Sequence, residues 1–144
     1  EIRQDSRVTV LDRTNVRHIT LEQVGEPVDL VVADLSFISL TLVIPALKEV
    51  TTSDADLVIM VKPQFEVGRE KLGAGGVVRD AQLRKQAVRD VALSAYELGL
   101  GCIDVVASPL PGPSGNVEYF LWLKRGGSQL DERTLEEAIA KGPQ

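Results

Sequence analysis

The chain has 144 residues, of which 44% are apolar and 26% are charged. This composition suits one domain with its own core, and it excludes disordered, collagen-like and disulfide-scaffold proteins. The net charge is -5, from 16 basic and 21 acidic residues, so the whole chain lacks the basic character of a nucleic-acid-binding protein. A polyanionic partner would therefore need a local basic patch.

The sequence gives little sign of a metal site, a membrane span or a secretory signal. Cys102 is the only cysteine and His18 the only histidine, which excludes an intrachain disulfide and argues against a metal centre. The longest apolar stretch, 28–47, is interrupted by two aspartates and a proline, so it is unsuited to crossing a membrane. The N-terminal residues also lack the pattern of a secretory signal. We expect a cytoplasmic protein without a metal or a membrane partner.

Strand and helix patterns alternate along the first half. The β-branched run 7–11 predicts a strand, and the apolar runs 28–33 and 56–61 predict strands that are buried on both faces. Apolar residues at helical spacing predict a helix over 36–50, with Pro45 either early in it or kinking it.

The second half begins with a glycine-rich stretch, 68–76, which predicts a flexible loop. Asp80 then offers an N-cap for a long amphipathic helix that stops at Gly99. Three further elements are predicted: strands at 102–107 and 118–124, and a helix at 131–141. This order predicts an α/β fold with a mostly parallel sheet, in which the last two strands pair as an antiparallel hairpin at the edge.

Three charged residues stand at the ends of the predicted strands. Asp34 follows the strand at 28–33, Lys62 follows the strand at 56–61, and Glu118 begins an antiparallel strand. In α/β sheets, ligands bind beyond the carboxyl ends of the parallel strands. If the first two strands are parallel neighbours, all three side chains meet at that edge and form a candidate catalytic cluster.

Each of these residues also has a simpler interpretation. Asp34 can cap the following helix, in competition with Ser36. Lys62 can keep its amine in water, and Glu118 can face solvent from its strand. The joint pattern favours the catalytic interpretation over these three separate ones.

Three segments carry a more specific signal, namely VVADLSFISL at 31–40, VKPQFE at 61–66 and PGPSGNVEYF at 111–120. They closely resemble the TlyA family of ribosomal RNA ribose methyltransferases, long also labelled hemolysins, which have an FtsJ-like catalytic domain. The resemblance implies a Rossmann-like, class I methyltransferase fold. It also implies transfer of a methyl group from S-adenosylmethionine to the 2'-hydroxyl of a cytidine ribose in ribosomal RNA.

Residue roles follow from the same resemblance. The family uses a Lys-Asp-Lys-Glu tetrad, and Asp34, Lys62 and Glu118 match its last three members. Lys62 would deprotonate or polarise the ribose hydroxyl, while the two carboxylates would orient it and the first lysine. The remaining cofactor contacts would come from Thr14 and Asn15 near the adenine and from Asp34 and Leu35 near the methionine end.

The resemblance covers nearly the whole chain, but the N-terminal part of the family members has no counterpart in it. Family members begin with an S4-like RNA-binding domain, the first tetrad lysine and a glycine-rich cofactor loop. We therefore interpret residues 1–144 as the C-terminal part of an FtsJ-like methyltransferase domain, with its first strands missing and inactive by itself. The strand at 7–11 has then lost both neighbours and can float, swap or pair with another molecule, the last of which would give a dimer through the exposed sheet edge.

Ribosomal RNA or ribosomal subunits are the implied partners. Basic residues in or beside the loops of the active edge can contact RNA phosphates: Arg69, Lys71, Arg79, Arg84 and Arg125. A solvated surface of mixed charge is equally open, because acidic residues lie among them. Two alternative functions are a membrane-active hemolysin, which the absence of a spanning segment disfavours, and a non-catalytic RNA-binding module.

Overall fold

A mixed sheet of four strands organises the computed structural model, which describes residues 2–143. The strands are β1 (Val28–Ala33), β2 (Thr51–Val61), β3 (Leu100–Ala107) and β4 (Tyr119–Arg125), in the order β1-β2-β4-β3. β1 and β2 are parallel, and β4 runs antiparallel to both of its neighbours. The predicted α/β class and the antiparallel final pair are confirmed, with β3 at the edge and β4 inside the sheet. The sheet was expected to be mostly parallel, but the described strands form a mixed sheet in which β1 and β2 alone pair in parallel.

The described residues form five α-helices, of which the first precedes the strands and the others connect or follow them: α1 (Leu21–Val24), α2 (Ile44–Glu49), α3 (Pro63–Glu66), α4 (Ala81–Glu97) and α5 (Glu132–Lys141). The two long helices begin at the predicted caps. The Asp80 carboxylate accepts a hydrogen bond from the Gln82 amide at 2.8 Å, and Asp131 accepts one from the Thr134 amide at 2.9 Å. An aspartate at this position satisfies an amide that has no partner within the helix.

The predicted strand at 7–11 is wrong. These residues form no sheet ladder, and Val8, Val10 and Leu11 are exposed. The side-chain pairs here are local, as in the double hydrogen bond between Arg3 and Asp12. A β-branched run favours extended backbone, but a strand also needs a neighbour to accept and donate its hydrogen bonds, and no described strand lies beside it.

The predicted helix at 36–50 is also shorter than expected. A 3-10 turn at Leu40–Leu42 precedes α2, and the segment before it is not helical. Pro45 occupies an early position in α2, where its missing amide costs nothing. Residues 51–55, which were not predicted as strand, belong to β2.

The sheet has two unlike faces, which we call the covered face and the open face. The helices α2, α4 and α5 contribute to one core cluster with the alternate strand residues of the covered face, such as Leu57 and Leu121. The residues between them point to the open face, where Leu30, Val32 and Trp122 are exposed. Side chains alternate along a strand, so each strand contributes to both faces.

The glycine-rich loop at 68–76 is confirmed as a loop and contains two 3-10 turns, Arg69–Lys71 and Ala74–Gly76. The Asn116 side chain ties its end to the segment before β4. Its oxygen accepts the Val78 amide at 3.0 Å, and its nitrogen donates to the Gly76 carbonyl at 3.1 Å. The loop is thereby held beside the carboxyl end of β2.

Candidate functional site

Lys62 follows the last residue of β2, and Asp34 follows the last residue of the neighbouring parallel strand β1. The Lys62 ammonium lies 2.7 Å from the Asp34 carboxylate and donates to the Ser36 hydroxyl at 3.2 Å. Lys62 is only 9% exposed, whereas the Asp34 side chain is 68% exposed. The structure therefore brings together the first two members of the predicted cluster, with the amine inside and the carboxylate reaching solvent.

Glu118 stands immediately before β4 and is 5% exposed. Its carboxylate accepts a hydrogen bond from the Gln64 side-chain amide at 3.1 Å. It also packs against Gly112, which leaves no room there for a side chain. Gln64 is two residues beyond Lys62, so the structure links Glu118 to the lysine through the backbone of α3 rather than by a direct contact among the described residues.

The short helix α3 holds these contacts. Pro63 is its first residue, and its missing amide ends the strand ladder while its fixed φ suits the start of a helix. The side chains that follow reach two separate parts of the chain: Gln64 reaches Glu118, whereas Phe65 reaches Phe37 and Glu66 reaches Ser39 in the segment after β1. Sequence reasoning missed Gln64 and Glu66, although both lie in the segment VKPQFE.

Glu66 is a partly buried carboxylate with two donors. It accepts the Ser39 hydroxyl at 2.5 Å and the Leu40 amide at 2.8 Å. Burial raises the pKa of Glu66, and these two hydrogen bonds lower it to a smaller extent. The carboxylate therefore joins the residues that follow β1 to those that follow β2.

Phe37 was not predicted as a site residue, yet it is the most exposed large apolar side chain of the described residues, at 89%. Its backbone has a φ of 63°, a region that bulky residues rarely adopt and that clusters at functional sites. Its ring centre lies 4.9 Å from that of Phe65. The only signal in the sequence is an aromatic residue between two serines just beyond a strand.

Two clefts flank this ring. The smaller has a volume of about 360 Å³, and its lining includes Lys62, Ser36, Phe37, Ser114 and Asn116. The larger, of about 580 Å³, also includes Phe37 and extends towards the N-terminal segment. Such volumes lie in or near the range of small-molecule sites, about 300 to 1,000 Å³.

The residues predicted to contact the cofactor differ in their surroundings, and two of them have local hydrogen-bond partners. Asn15 lines the larger cleft, but its side-chain oxygen accepts the Arg17 amide at 3.0 Å and caps a 3-10 turn. The Thr14 hydroxyl donates to the Asp12 carbonyl at 3.2 Å. Leu35 is partly buried against the core beside Asp34.

The basic residues divide into two groups. Arg69 lines the larger cleft, Lys71 is exposed in the same 3-10 turn, and Arg79 donates to the Ala74 carbonyl at 3.4 Å. The expectation for the other two was wrong. Arg84 is buried in the first turn of α4, and Arg125 donates to the Lys48 carbonyl at 2.7 Å at the opposite end of the sheet, because β4 runs antiparallel.

Gly101 in β3 and Gly127 after β4 have a structural role. Gly127 packs backbone against backbone on Gly101, at a spacing that a Cβ on Gly101 would fill. The Cys102 amide donates to the Ser128 carbonyl at 2.9 Å, so the chain after β4 continues along β3. Between residues 2 and 143 we find no cluster of three histidine, cysteine, aspartate or glutamate residues that would hold a metal ion, and no helix long and apolar enough to span a membrane.

Residues 1–125 match the model of the FtsJ-like methyltransferase family. The chain belongs to this family. Among the FtsJ-like relatives, TlyA of Mycobacterium tuberculosis, named as a 16S/23S rRNA (cytidine-2'-O)-methyltransferase, is 56% identical over 99% of this chain and 55% of its own length. YqxC of Bacillus subtilis is 39% identical over 95% of this chain and 49% of its own length.

A solved structure from Streptococcus thermophilus shares the fold, with a TM-score of 0.89 and 32% identity over 97% of this chain and 52% of that one. The predicted family and the Rossmann-like methyltransferase fold are thereby confirmed. The FtsJ-like chain described here spans about half the length of the curated relatives it matches.

Proposed function

We propose that the protein containing this chain transfers a methyl group from S-adenosylmethionine to the 2'-hydroxyl of a cytidine ribose in ribosomal RNA. The observation that supports this most directly is the buried Lys62 ammonium, held 2.7 Å from Asp34 beyond the ends of two parallel strands. The activity for which TlyA of Mycobacterium tuberculosis is named supports the same reaction. The proposed residue roles are those of the Lys-Asp-Lys-Glu tetrad.

Lys62 would act on the ribose hydroxyl. Of its three N–H groups, one faces Asp34 and one faces Ser36, which leaves a third for the hydroxyl oxygen. As an ammonium, Lys62 would polarise the hydroxyl, and as a neutral amine it would take the proton as the oxygen–carbon bond forms. Bound S-adenosylmethionine would supply the electrophilic methyl group.

The two carboxylates would position this amine. Asp34 contacts the amine directly. Glu118 is buried and accepts a hydrogen bond from Gln64, which lies two residues after Lys62 in the chain. Orientation of reacting groups lowers the barrier without any further chemistry. We propose that residues 1–144 are the C-terminal part of the methyltransferase domain, and that the first tetrad lysine and the glycine-rich cofactor loop come from the rest of the protein.

The described residues fit one part of the cofactor. The Asp34 carboxylate is mostly exposed, and one of its oxygens faces Lys62, so the other can accept the ammonium of the methionine moiety. Leu35 is adjacent, while Asn15 and Thr14 would line the adenine end with oxygens that already have local partners. We therefore expect S-adenosylmethionine to bind tightly only when the rest of the domain is present.

The RNA would reach the site over the exposed ring of Phe37. Sequence-specific proteins stack unpaired bases on aromatic side chains, and this ring lies in the cleft beside Lys62. Arg69, Lys71 and Arg79 would contact phosphates around it. A ribosomal substrate would place the protein in the cytoplasm, and the dimer predicted from the sheet edge has no support in the comparisons and no part in this proposal.

The test compares lysine variants in the full-length protein. Lys62→Met removes the charge, and Lys62→Arg keeps the charge but cannot release a proton. We expect both to lower ribose methylation of ribosomal RNA by about 100-fold or more, since general acid–base catalysis contributes about 10² to 10⁴. The exposed Lys141 at the end of α5 provides a matched control, because Lys141→Met should leave methylation unchanged.

Calorimetric titration with S-adenosylmethionine separates binding from chemistry. Binding by the full-length protein but not by the 144-residue chain would support the assignment of the cofactor loop to the rest of the protein. Full methylation by Lys62→Met would contradict the tetrad. RNA binding without methylation by the unaltered protein would favour the non-catalytic RNA-binding module, and leakage of lipid vesicles would favour the hemolysin.

A further inference from the structure

Glu66 at the end of α3 is a carboxylate that the proposed reaction does not use. Both of its oxygens accept hydrogen bonds from the chain that follows β1, one from the Ser39 hydroxyl and one from the Leu40 amide. These partners are 27 and 26 residues away in sequence. Among the described residues, no cation forms an ion pair with Glu66, and its polar partners are these two donors.

The segment 34–40 is therefore held at both ends by one short stretch of chain. Lys62 holds the first end through Asp34 and Ser36, and Glu66, four residues later, holds the second end. Phe37 lies between the two anchors with its φ of 63° and its exposed ring. A strained backbone conformation persists only when its surroundings determine it from several sides.

We propose that Glu66 is a positioning residue that fixes segment 34–40 against α3, and with it the Asp34 carboxylate and the Phe37 ring relative to Lys62. The structural part of this inference stands on the contacts of Glu66 alone. Its consequence for methyl transfer rests on the proposed function.

A simpler role for Glu66 would be to cap the 3-10 turn at Leu40–Leu42. That turn already has a cap, because the Ser39 side-chain oxygen accepts the Thr41 amide at 3.2 Å. Burial of a carboxylate is costly, as the raised pKa of Glu66 reflects, so a second cap is a poor reason for it. We call the hold of Glu66 on segment 34–40 the clamp. It accounts for both carboxylate oxygens, since each binds a different group of that segment.

Hydrogen exchange on the 144-residue chain tests the clamp directly. Glu66→Ala should speed exchange of the Leu40 amide at least tenfold and also raise exchange of 35–39. The Leu121 amide in the covered core serves as the reference and should not change. Unchanged protection of Leu40 in Glu66→Ala would overturn the proposal.

Glu66→Gln is the matched variant. Its side-chain carbonyl can accept the Leu40 amide while its nitrogen donates to the Ser39 hydroxyl, which in turn can donate to Thr41 at 2.8 Å. We expect Leu40 protection close to that of the unaltered chain. If Glu66→Ala also exposes Leu121, it has destabilised the whole fold. In that case Ser39→Ala, which removes one of the two contacts of Glu66, decides the question. A partial loss of protection at the Leu40 amide would support the proposal, and unchanged protection would overturn it.

Methylation by the full-length protein tests the consequence. Glu66→Ala should lower kcat by 10- to 100-fold, and Glu66→Gln should restore most of the rate. A normal kcat in Glu66→Ala, with the clamp lost by hydrogen exchange, would overturn the positioning role. If the unaltered protein does not methylate RNA, the proposed function fails while the exchange result still decides the clamp.

Discussion

The covered and open faces of the sheet are built from similar apolar residues, yet they have opposite environments. Leu57 on the covered face is 0% exposed beneath the helices, whereas Leu30 on the open face is 56% exposed and Val32 is 74% exposed. Strand alternation thus supplies two apolar faces, while the helices of the described chain cover one.

Truncation of a leucine on each face gives the sharpest comparison. Leu57→Ala should lower the free energy of unfolding by about 2 to 5 kcal/mol, because it leaves a cavity in a packed core. Leu30→Ala, the same substitution in the neighbouring strand, should change it by no more than about 0.5 kcal/mol. Urea unfolding of the 144-residue chain measures both, and equal losses would show that the open face is packed in solution.

Thiol chemistry distinguishes the faces by reactivity. Burial raises the pKa of Cys102 to about 11, so its thiol on the covered face stays protonated at pH 8 and should react slowly with a disulfide reagent. A Cys102→Ala, Val106→Cys variant places the thiol on the open face, where Val106 is exposed, and should react at once. Fast reaction of native Cys102 would mean that α4 and α5 separate readily from the sheet.

The same thiol predicts an alkaline effect on stability. An unfolded cysteine ionises near about 8.5, whereas folded Cys102 keeps its proton to about 11. The raised folded pKa means that its contribution to stability is complete below about 8.5 and is lost as the pH rises towards 11. Cys102→Ala should flatten this decline in urea unfolding measured from pH 7 to 11.

Trp122, the only tryptophan, reports on the open face. If additional polypeptide covers this face in the full-length protein, acrylamide should quench the Trp122 fluorescence several-fold less efficiently there than in the 144-residue chain. The 144-residue chain with Val32→Ala serves as a control for local packing on this face. Equal quenching in both proteins would show that the open face remains free.

The smallest effect concerns a polar group on the open face. The Trp122 indole N–H donates to the Asp56 carboxylate at 2.8 Å, and the Lys124 ammonium lies 3.4 Å from the same carboxylate. The hydrogen bond from the indole is the main cause of the lowered pKa of Asp56. The stability it contributes is present above the ordinary value of about 3.9 and is lost as the pH falls through the lower folded pKa. Trp122 emission should titrate below pH 3.9, and Asp56→Asn should abolish this titration.

Local pattern was a sound guide where an element depends on its own residues. Asp80 and Asp131 cap the helices that their positions predict, and the apolar stripe of α4 is buried as expected. The pairing of Asp34 with Lys62 was also predictable, because two buried parallel strands bring their carboxyl ends to one edge. Pattern failed for residues 7–11, because no described strand lies beside them to complete a ladder.

The sequence by itself determined the family, the α/β class and the three charged residues at the strand ends. Only the tertiary structure showed that Gln64 holds Glu118, that Glu66 holds Ser39, and that the Phe37 ring stands in the cleft. The first two contacts join residues 54 and 27 positions apart. Their partners are set by the packing of β1, β2 and β4 around α3, a long-range arrangement that local side-chain periodicity does not encode.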